Sequence, residues 1–231
     1  MKKLFWIVNL PRTLLIYLLT KNSRQRALIF KDLERFAYGE RKNKGPYRTF
    51  SEVILFDKCF RNVLEFRMKK ESKIKAMMLR VFFPIKKDME IGRCDIGGGL
   101  VCYHGHGTVI AAHKIGENFS VWQGVTIGKN VNSEMAPTIG NNVSIYTNAV
   151  VAGNITIGDD VKIGAGAVVM QDVPDHSLVF GNPCQIKKII MEGNHNGYWN
   201  VLQTKDLPES ICDRAENDSD SVSPFCLSLC R

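Results

Sequence analysis

The chain has 231 residues, of which 45% are hydrophobic and 23% charged, and its formal net charge is +8. This composition is that of an ordinary soluble protein, and the length allows one or two domains with a sizeable core. The seven cysteines are irregularly spaced and form no C-x-x-C pair, which argues against a disulfide framework and favours a reduced, cytoplasmic protein.

Residues 1–88 are predicted to be helical, because apolar residues recur at helical spacing. Two such series are Leu28, Phe30, Leu33, Phe36 and Val53, Phe56, Phe60, Leu64. The apolar run at Leu4–Val8 begins like a signal peptide, but Pro11 and Arg12 interrupt it and no cleavage site follows. The apolar stretches are too short to span a bilayer, so we expect these helices to pack against one another.

The positive charge is concentrated between Arg61 and Lys87, whereas the region after it is close to neutral. Such a cluster favours either a solvated helix face or a surface that meets phosphate. That phosphate would belong to a nucleotide cofactor, an anionic lipid head group or nucleic acid, and a lipid would give peripheral association with the inner membrane face. Nothing else in the sequence indicates nucleic acid as a partner.

Residues 89–190 carry a repeat with a period of six. Its first position is aliphatic at Ile115, Val121, Ile127, Ile139, Ile145, Val151, Ile157, Ile163 and Val169. Three residues later the chain has Asn118, Gly124, Asn130, Asn142, Asn148, Asn154, Asp160, Gly166 and Asp172. Asn, Asp and Gly tolerate a left-handed backbone, so each unit is predicted to be a short strand followed by a corner.

A corner every six residues predicts a solenoid whose coils stack at the usual inter-strand distance. The series is broken at Ser133, where residues 130–138 form a polar excursion and the repeat resumes in register at Ile139. A loop projecting from a rigid scaffold is a common place for ligand contacts. After about residue 191 the chain is polar and non-periodic, and residues 191–231 are predicted to be a disordered tail.

Several motifs in this region resemble the serine acetyltransferase family, and most closely its branch of capsular and colanic acid O-acetyltransferases. They are Gly99–His104, Ser120–Gly128, Ile163–Val169, Val173–Asp175 and Gly181–Cys184. The resemblance implies a left-handed parallel β-helix, a homotrimer with active sites between neighbouring prisms, and acetyl-CoA as co-substrate without a metal. The expected product is an acetylated sugar hydroxyl in a surface polysaccharide.

The resemblance implies that His104 is the general base, which takes the proton of an alcohol as it attacks the thioester. Glu90 lies near the place of the carboxylate that holds the family's base, and Asp95 is the alternative. Tyr103, His106 and Gln123 are the predicted acceptor-binding residues.

The wider hexapeptide group uses four positions for CoA, and these fall on Thr147, Ala165, Gln171 and Lys188. Gln171 stands where that group often has Lys or Arg.

Two departures bear on the acceptor: Tyr103 replaces the family's Asp before the base, and Ala136 replaces a His before Pro137. Both family residues help to hold an amino acid, so their loss favours a sugar. Serine O-acetyltransferase activity is the first alternative, and a non-catalytic β-helix scaffold is the second. A zinc site is disfavoured, because His104, His106 and His113 all lie in one stretch.

Overall fold

A computed structural model of the chain describes residues 7–38, 45–131 and 133–188. Five helices come first in these ranges, followed by fifteen short strands. The helices are α1 Leu10–Lys21, α2 Arg26–Phe36, α3 Pro46–Phe56, α4 Lys58–Glu71 and α5 Lys73–Phe82. None of these described helices is long and apolar enough to cross a membrane.

The strands form three parallel sheets, which are the three walls of a solenoid. Sheet A holds β1 Met89–Ile91, β4 Thr108–Ile110, β7 Thr126–Gly128, β10 Val150–Ala152 and β13 Val168–Val169. Sheet B holds β2 Asp95–Ile96, β5 Lys114–Ile115, β8 Thr138–Ile139 and β11 Thr156–Ile157. Sheet C holds β3 Val101–Cys102, β6 Ser120–Val121, β9 Ser144–Ile145, β12 Lys162–Ile163, β14 Ser177–Phe180 and β15 Gln185–Lys188.

The period-six pattern fills the solenoid as predicted. Every aliphatic first position from Ile115 to Val169 is buried, and so are the small apolar residues four positions later, from Phe119 to Val173. The excursion leaves the solenoid between β7 and β8 without disturbing the stack, since Lys114 still pairs with Thr138. The predicted parallel β-helix with N-terminal helices is therefore confirmed, while the predicted tail at 191–231 lies outside the described residues.

The corners differ from the prediction at one of the three edges. Six of the nine predicted residues have a left-handed backbone, namely Asn118, Gly124, Asn142, Asn148, Asp160 and Gly166. Asn130, Asn154 and Asp172 do not, and all three follow sheet A. Gly153 takes the positive φ there instead, and the Asp172 carboxylate accepts a hydrogen bond of 2.7 Å from the backbone N–H of Thr156. At Asp172 the polar side chain therefore bonds to the backbone instead of permitting a left-handed turn.

The edge between sheets B and C carries a ladder of amide and carboxylate side chains. The Asn118 amide donates to Asn142 at 3.0 Å, and the Asn142 amide donates to Asp160 at 2.9 Å. A neighbouring column satisfies backbone donors, as when the N–H of Glu117 donates to the side chain of Asn141 at 2.8 Å. These exposed contacts join successive coils along that edge.

The helices close the first coil through a buried ion pair. Arg67 on α4 donates from Nε to Asp32 of α2 at 2.8 Å, and also to the carbonyl oxygens of Ile96 and Gly97 at 2.6 Å each. Asp32 Oδ1 in turn accepts from the backbone N–H groups of Gly99 and Leu100 at 2.8 Å. Desolvation raises the pKa of the Asp32 carboxyl, and the hydrogen bonds from Arg67, Leu100 and Gly99 oppose that rise.

The basic segment is therefore only partly a solvated face. Arg67 is fully buried, and Arg61 is buried with its guanidinium on the carbonyl oxygens of Ile54, Leu55 and Pro84. A second departure concerns Phe56, which is 56% exposed although it belongs to an apolar series. The series crosses a helix boundary there, because Asp57 ends α3 and caps α4 by accepting from the N–H of Phe60.

Candidate functional site

Four predicted site residues stack along the edge between sheets C and A, which we call the site edge. His106, Gln123, Thr147 and Ala165 occupy equivalent corner positions in successive coils. Backbone hydrogen bonds set this register: Gly124 N–H donates to His106 O at 2.7 Å, Asn148 to Gln123 at 3.0 Å, and Gly166 to Thr147 at 2.9 Å. The solenoid thus gathers residues that lie far apart in sequence.

The corner of the first coil contains two additional residues. Tyr103 occupies the position in the first coil that Trp122 occupies in the second, and its backbone N–H donates to the carbonyl oxygen of Val121. Three residues separate Tyr103 from the corner glycine Gly107, whereas one residue separates Trp122 from Gly124. His104 and Gly105 are both left-handed, with φ of 61° and 63°. A Cβ on Gly105 would lie 2.8 Å from the sulfur of Met89, so this position favours glycine through both its positive φ and its close neighbour.

The His104 side chain is exposed, and no described residue makes a hydrogen bond to its ring. Glu90 lies on the outer face of sheet A, where its backbone pairs with Val109, and it has no hydrogen bond to His104 among the described residues. Asp95 bonds to Lys70 at 2.7 Å on sheet B and is also away from the site edge. Neither carboxylate bonds to the His104 ring among the described residues, and the role of Glu90 stays a prediction.

A different carboxylate lies at the site edge. Asp88 Oδ2 is 2.8 Å from Nδ1 of His106, and Lys86 Nζ is 3.1 Å from each nitrogen of that ring. The hydrogen bond from His106 is the main cause that lowers the pKa of Asp88 below its ordinary value. Sequence analysis missed Asp88, because its place at the site edge depends on the register of β1, in which Met89 pairs with Thr108 at the end of the histidine turn.

An aromatic stack lies on sheet C beside the site edge. The rings of Tyr103 and Trp122 are stacked with centroids 4.5 Å apart, and Trp122 and Tyr146 are also 4.5 Å apart. Burial is the main cause that raises the pKa of Tyr146. Tyr103 therefore stands next to the histidine turn as predicted, with Trp122 covering one face of its ring.

Gln123 carries a polar atom that the protein leaves unsatisfied. Its Oε1 is buried and has no hydrogen-bond partner among the described residues. A buried acceptor without a partner costs about 1–3 kcal/mol, and a donor on a bound ligand would remove that cost. This supports the predicted role of Gln123 in acceptor binding.

The predicted CoA residues divide into two places. Thr147 and Ala165 lie on the site edge, in the third and fourth coils. Gln171 lies instead at the corner after sheet A, where its Nε2 is 3.7 Å from the sulfur of Cys184. Lys188 is the last residue of β15. The structure thus places two of the four residues in line with the histidine turn.

The cysteines nearest the turn are unsuited to nucleophilic attack. Burial raises the pKa of Cys59 to about 11 and that of Cys102 well above its ordinary value, so both thiols are protonated near neutral pH. Among the described residues, no three His, Cys, Asp or Glu side chains converge as metal ligands. The chemistry that the arrangement supports is acid–base work by an imidazole.

Comparison with known proteins gives serine acetyltransferases among the relatives. Residues 136–171 match the family model described as bacterial transferase hexapeptide (six repeats). A serine acetyltransferase of Bacillus pumilus is 42% identical over 127 residues, which is 52% of this chain and 54% of the relative. A Bacillus subtilis serine acetyltransferase is 40% identical over the same shares. The chain spans about half the length of the curated relatives it matches.

Solved structures agree with these matches. The serine acetyltransferase of Neisseria gonorrhoeae in complex with serine has a TM-score of 0.55 at 28% identity, covering 74% of this chain and 73% of that one. The Brucella abortus serine acetyltransferase in complex with coenzyme A has a TM-score of 0.55 at 26% identity, covering 72% and 68%. These comparisons do not support the narrower likeness to the capsular and colanic acid branch.

Proposed function

We propose that this chain is an acetyl-CoA-dependent O-acetyltransferase and that its acceptor is the hydroxyl of L-serine. The observation that carries the proposal is the histidine turn at the site edge, in a solenoid similar to serine acetyltransferases that bind serine and coenzyme A. Serine, the alternative acceptor of the sequence analysis, thereby comes before a sugar. The same observation favours an enzyme over a non-catalytic β-helix scaffold.

The proposed reaction is a direct transfer in a ternary complex. An imidazole of the turn, His104 by its motif position, takes the hydroxyl proton while the oxygen attacks the thioester carbonyl. The tetrahedral intermediate then loses CoA as its thiolate: a C–O bond forms, the C–S bond breaks, and the proton passes to the thiolate. A thiol of pKa about 8.5 leaves with little acid assistance, so no enzyme-bound acyl group is needed.

The Asp88–His106 pair has a supporting role in this proposal. Asp88 orients the His106 ring at the mouth of the turn, and Lys86 adds a positive charge beside it. Gln123, one coil further along the edge, offers its buried Oε1 to a donor of the acceptor, such as an ammonium or a hydroxyl. Thr147 and Ala165, which are predicted to bind CoA, continue the same line of residues along the site edge in the third and fourth coils.

A sugar hydroxyl is the second candidate acceptor, and the aromatic stack favours it. Tyr103, Trp122 and Tyr146 form an apolar surface beside the histidine turn, of the kind that packs against the apolar face of a sugar ring. Tyr103 also cannot pair with the ammonium of an amino acid as an Asp would. A charged acceptor left poorly paired would lose several kcal/mol of binding.

The test is a measurement of CoA release with acetyl-CoA and a panel of acceptors. A kcat/KM for L-serine of about 10⁴ M⁻¹s⁻¹ or more would establish the serine reading. Negligible turnover of serine together with turnover of a sugar or oligosaccharide would replace it by the second candidate. Absence of CoA release with every acceptor would overturn both and leave the scaffold reading.

A further inference from the structure

Helix α5 has two apolar faces, and only one of them packs against the protein. Ala76 and Leu79 are buried against the helical core. On the opposite side Ile74, Met77 and Val81 are 67%, 60% and 72% exposed. These three residues recur at the spacing of one helical stripe, so they form a continuous exposed ridge. Isolated exposed apolar residues need no explanation, whereas a stripe of three large ones indicates a surface that is covered by something else.

Positive charge borders this ridge. Lys73 and Arg80 lie along one side of the α5 stripe, and Lys69 of α4 lines the same groove as both of them and Met77. A larger groove of about 830 Å³ continues from there and adds Lys70 and Arg93. Helix α5 itself contains no acidic residue.

The acidic side chains of the larger groove are mostly engaged. Glu65 pairs with Arg80 at 2.8 Å, and Asp95 pairs with Lys70 at 2.7 Å. Glu90 is the remaining carboxylate in the lining. Lys69, Lys73 and Arg93 have no acidic partner among the described residues, so the surface beside the ridge is net positive.

We infer that the α5 ridge and its bordering cations dock onto an anionic lipid bilayer. An apolar stripe flanked by Lys and Arg is the arrangement by which a helix lies in the membrane interface, with aliphatic side chains among the acyl chains and cations at the head groups. A second copy of the chain fits less well, because a two-fold contact through this ridge would bring Lys73 and Arg80 of one copy close to the same two cations of the other. An anionic lipid fits both features, because its phosphate meets the cations and its acyl chains meet the apolar ridge.

The docking surface is also placed close to the candidate site. After α5 the chain runs through Pro84 to Lys86, which touches His106, and to Asp88, which bonds to it. Only four residues separate Phe82, the last residue of the helix, from Lys87, which directly precedes Asp88. Docking through α5 would therefore hold the site edge near the membrane surface, whichever acceptor the enzyme uses.

The experiment is co-sedimentation of the full chain with sucrose-loaded vesicles. Vesicles of phosphatidylcholine alone are compared with vesicles containing about 30 mol% phosphatidylglycerol. We expect binding to the anionic vesicles only, with loss of most binding at about 0.5 M NaCl, because salt screens the lysine and arginine contacts. Equal binding to both compositions, or binding to neither, would overturn the inference.

Two double variants separate the contributions of the ridge and the cations. Met77→Ser with Val81→Ser, and Lys69→Gln with Lys73→Gln, should each weaken binding to anionic vesicles about tenfold or more. The matched controls are Met135→Ser with Met170→Ser and Lys114→Gln with Lys129→Gln, which alter exposed residues elsewhere. Unchanged thermal melting establishes that each variant is folded. Variants that bind like the parent would contradict the inference.

A second measurement addresses the competing occupant. Sedimentation velocity is run on the parent and on the Met77→Ser, Val81→Ser variant without vesicles. We expect the same assembly size for both proteins. If the variant splits an assembly that the parent forms, the ridge is a contact between copies of this chain and the lipid assignment is wrong.

Discussion

His104 and His106 lie two residues apart in the same turn, yet among the described residues only His106 has a carboxylate partner. Motif position assigns proton removal to His104, whereas the Asp88–His106 contact is the arrangement usually associated with an oriented imidazole. The two histidines are therefore expected to differ in their effect on turnover. Substitution of each one separately decides between them.

We expect His104→Ala to lower kcat by about 10²–10⁴-fold with an unchanged fold, because the attacking hydroxyl then loses its base. Asp88→Asn should lower kcat less, by about tenfold, since it removes only the partner of His106. The control is His113→Ala, at the corner between sheets A and B. Steady-state CoA release measures all three. Full activity of His104→Ala together with loss of activity in His106→Ala would move the base to His106.

A left-handed corner is a second residue-scale feature with a measurable cost. Asn148 has φ of 58°, whereas Asn154 has no positive φ although it occupies the same place in the repeat. Asn148→Val should lower the free energy of unfolding by about 1–3 kcal/mol, because a β-branched residue is strained in that conformation. Asn154→Val should change it by less than about 0.5 kcal/mol. Urea denaturation of this matched pair provides the measurement, and equal losses would contradict the corner assignment.

The residues of the site edge show which parts of the candidate site the sequence predicts. The stacking of Thr147 on Ala165 follows from the period of six, since one coil of three units separates them, whereas Gln123 stacks on Thr147 because the excursion between them leaves the solenoid. Asp88 could not be found in that way, because its relation to His106 depends on the pairing of the first strand with the fourth. That strand lies before the regular repeats begin, so the period does not predict its register.

At the scale of elements, the contact between the helices and the first coil is the least predictable feature. Helical periodicity indicated the helices, but Arg67 lies in a run of cations that looks solvent-exposed in the sequence. The structure instead buries it completely against Asp32. The sequence of the helix alone does not predict this burial, because the carbonyl partners of Arg67 belong to the first coil of the solenoid.

This pair leads to a prediction on stability. Arg67→Met should lower the free energy of unfolding by about 3–5 kcal/mol, because it leaves the Asp32 carboxylate buried without its cation. The double variant Arg67→Met with Asp32→Leu should recover much of that loss, since no uncompensated charge remains. Denaturant titration compares the two. A single variant within about 1 kcal/mol of the parent would show that the pair does not stabilise this contact.

At the scale of the whole molecule, we predict a homotrimer. The prism has three walls, and the outer face of sheet A presents three partly buried valines, Val109, Val150 and Val168, in a column that Thr126 interrupts between the first two. The family resemblance places active sites between neighbouring prisms, so the exposed His104 would acquire further surroundings in such an assembly. Sedimentation equilibrium measures the mass. A stable and fully active monomer would refute the prediction.

The solenoid also restricts how the length of this protein can change. Val150 pairs with Val168, eighteen residues later, so insertion or removal of that many residues shifts everything beyond it by one inter-strand spacing of about 4.8 Å. A change of six residues inside the regular coils would instead rotate all later side chains onto another wall and separate Ala165 from the histidine turn. Between β7 and β8 the chain absorbs extra residues as a loop, with register preserved. Length changes inside the regular coils are thus compatible with the site only as whole coils, whereas the loop between β7 and β8 and the histidine turn hold extra residues without a change of register.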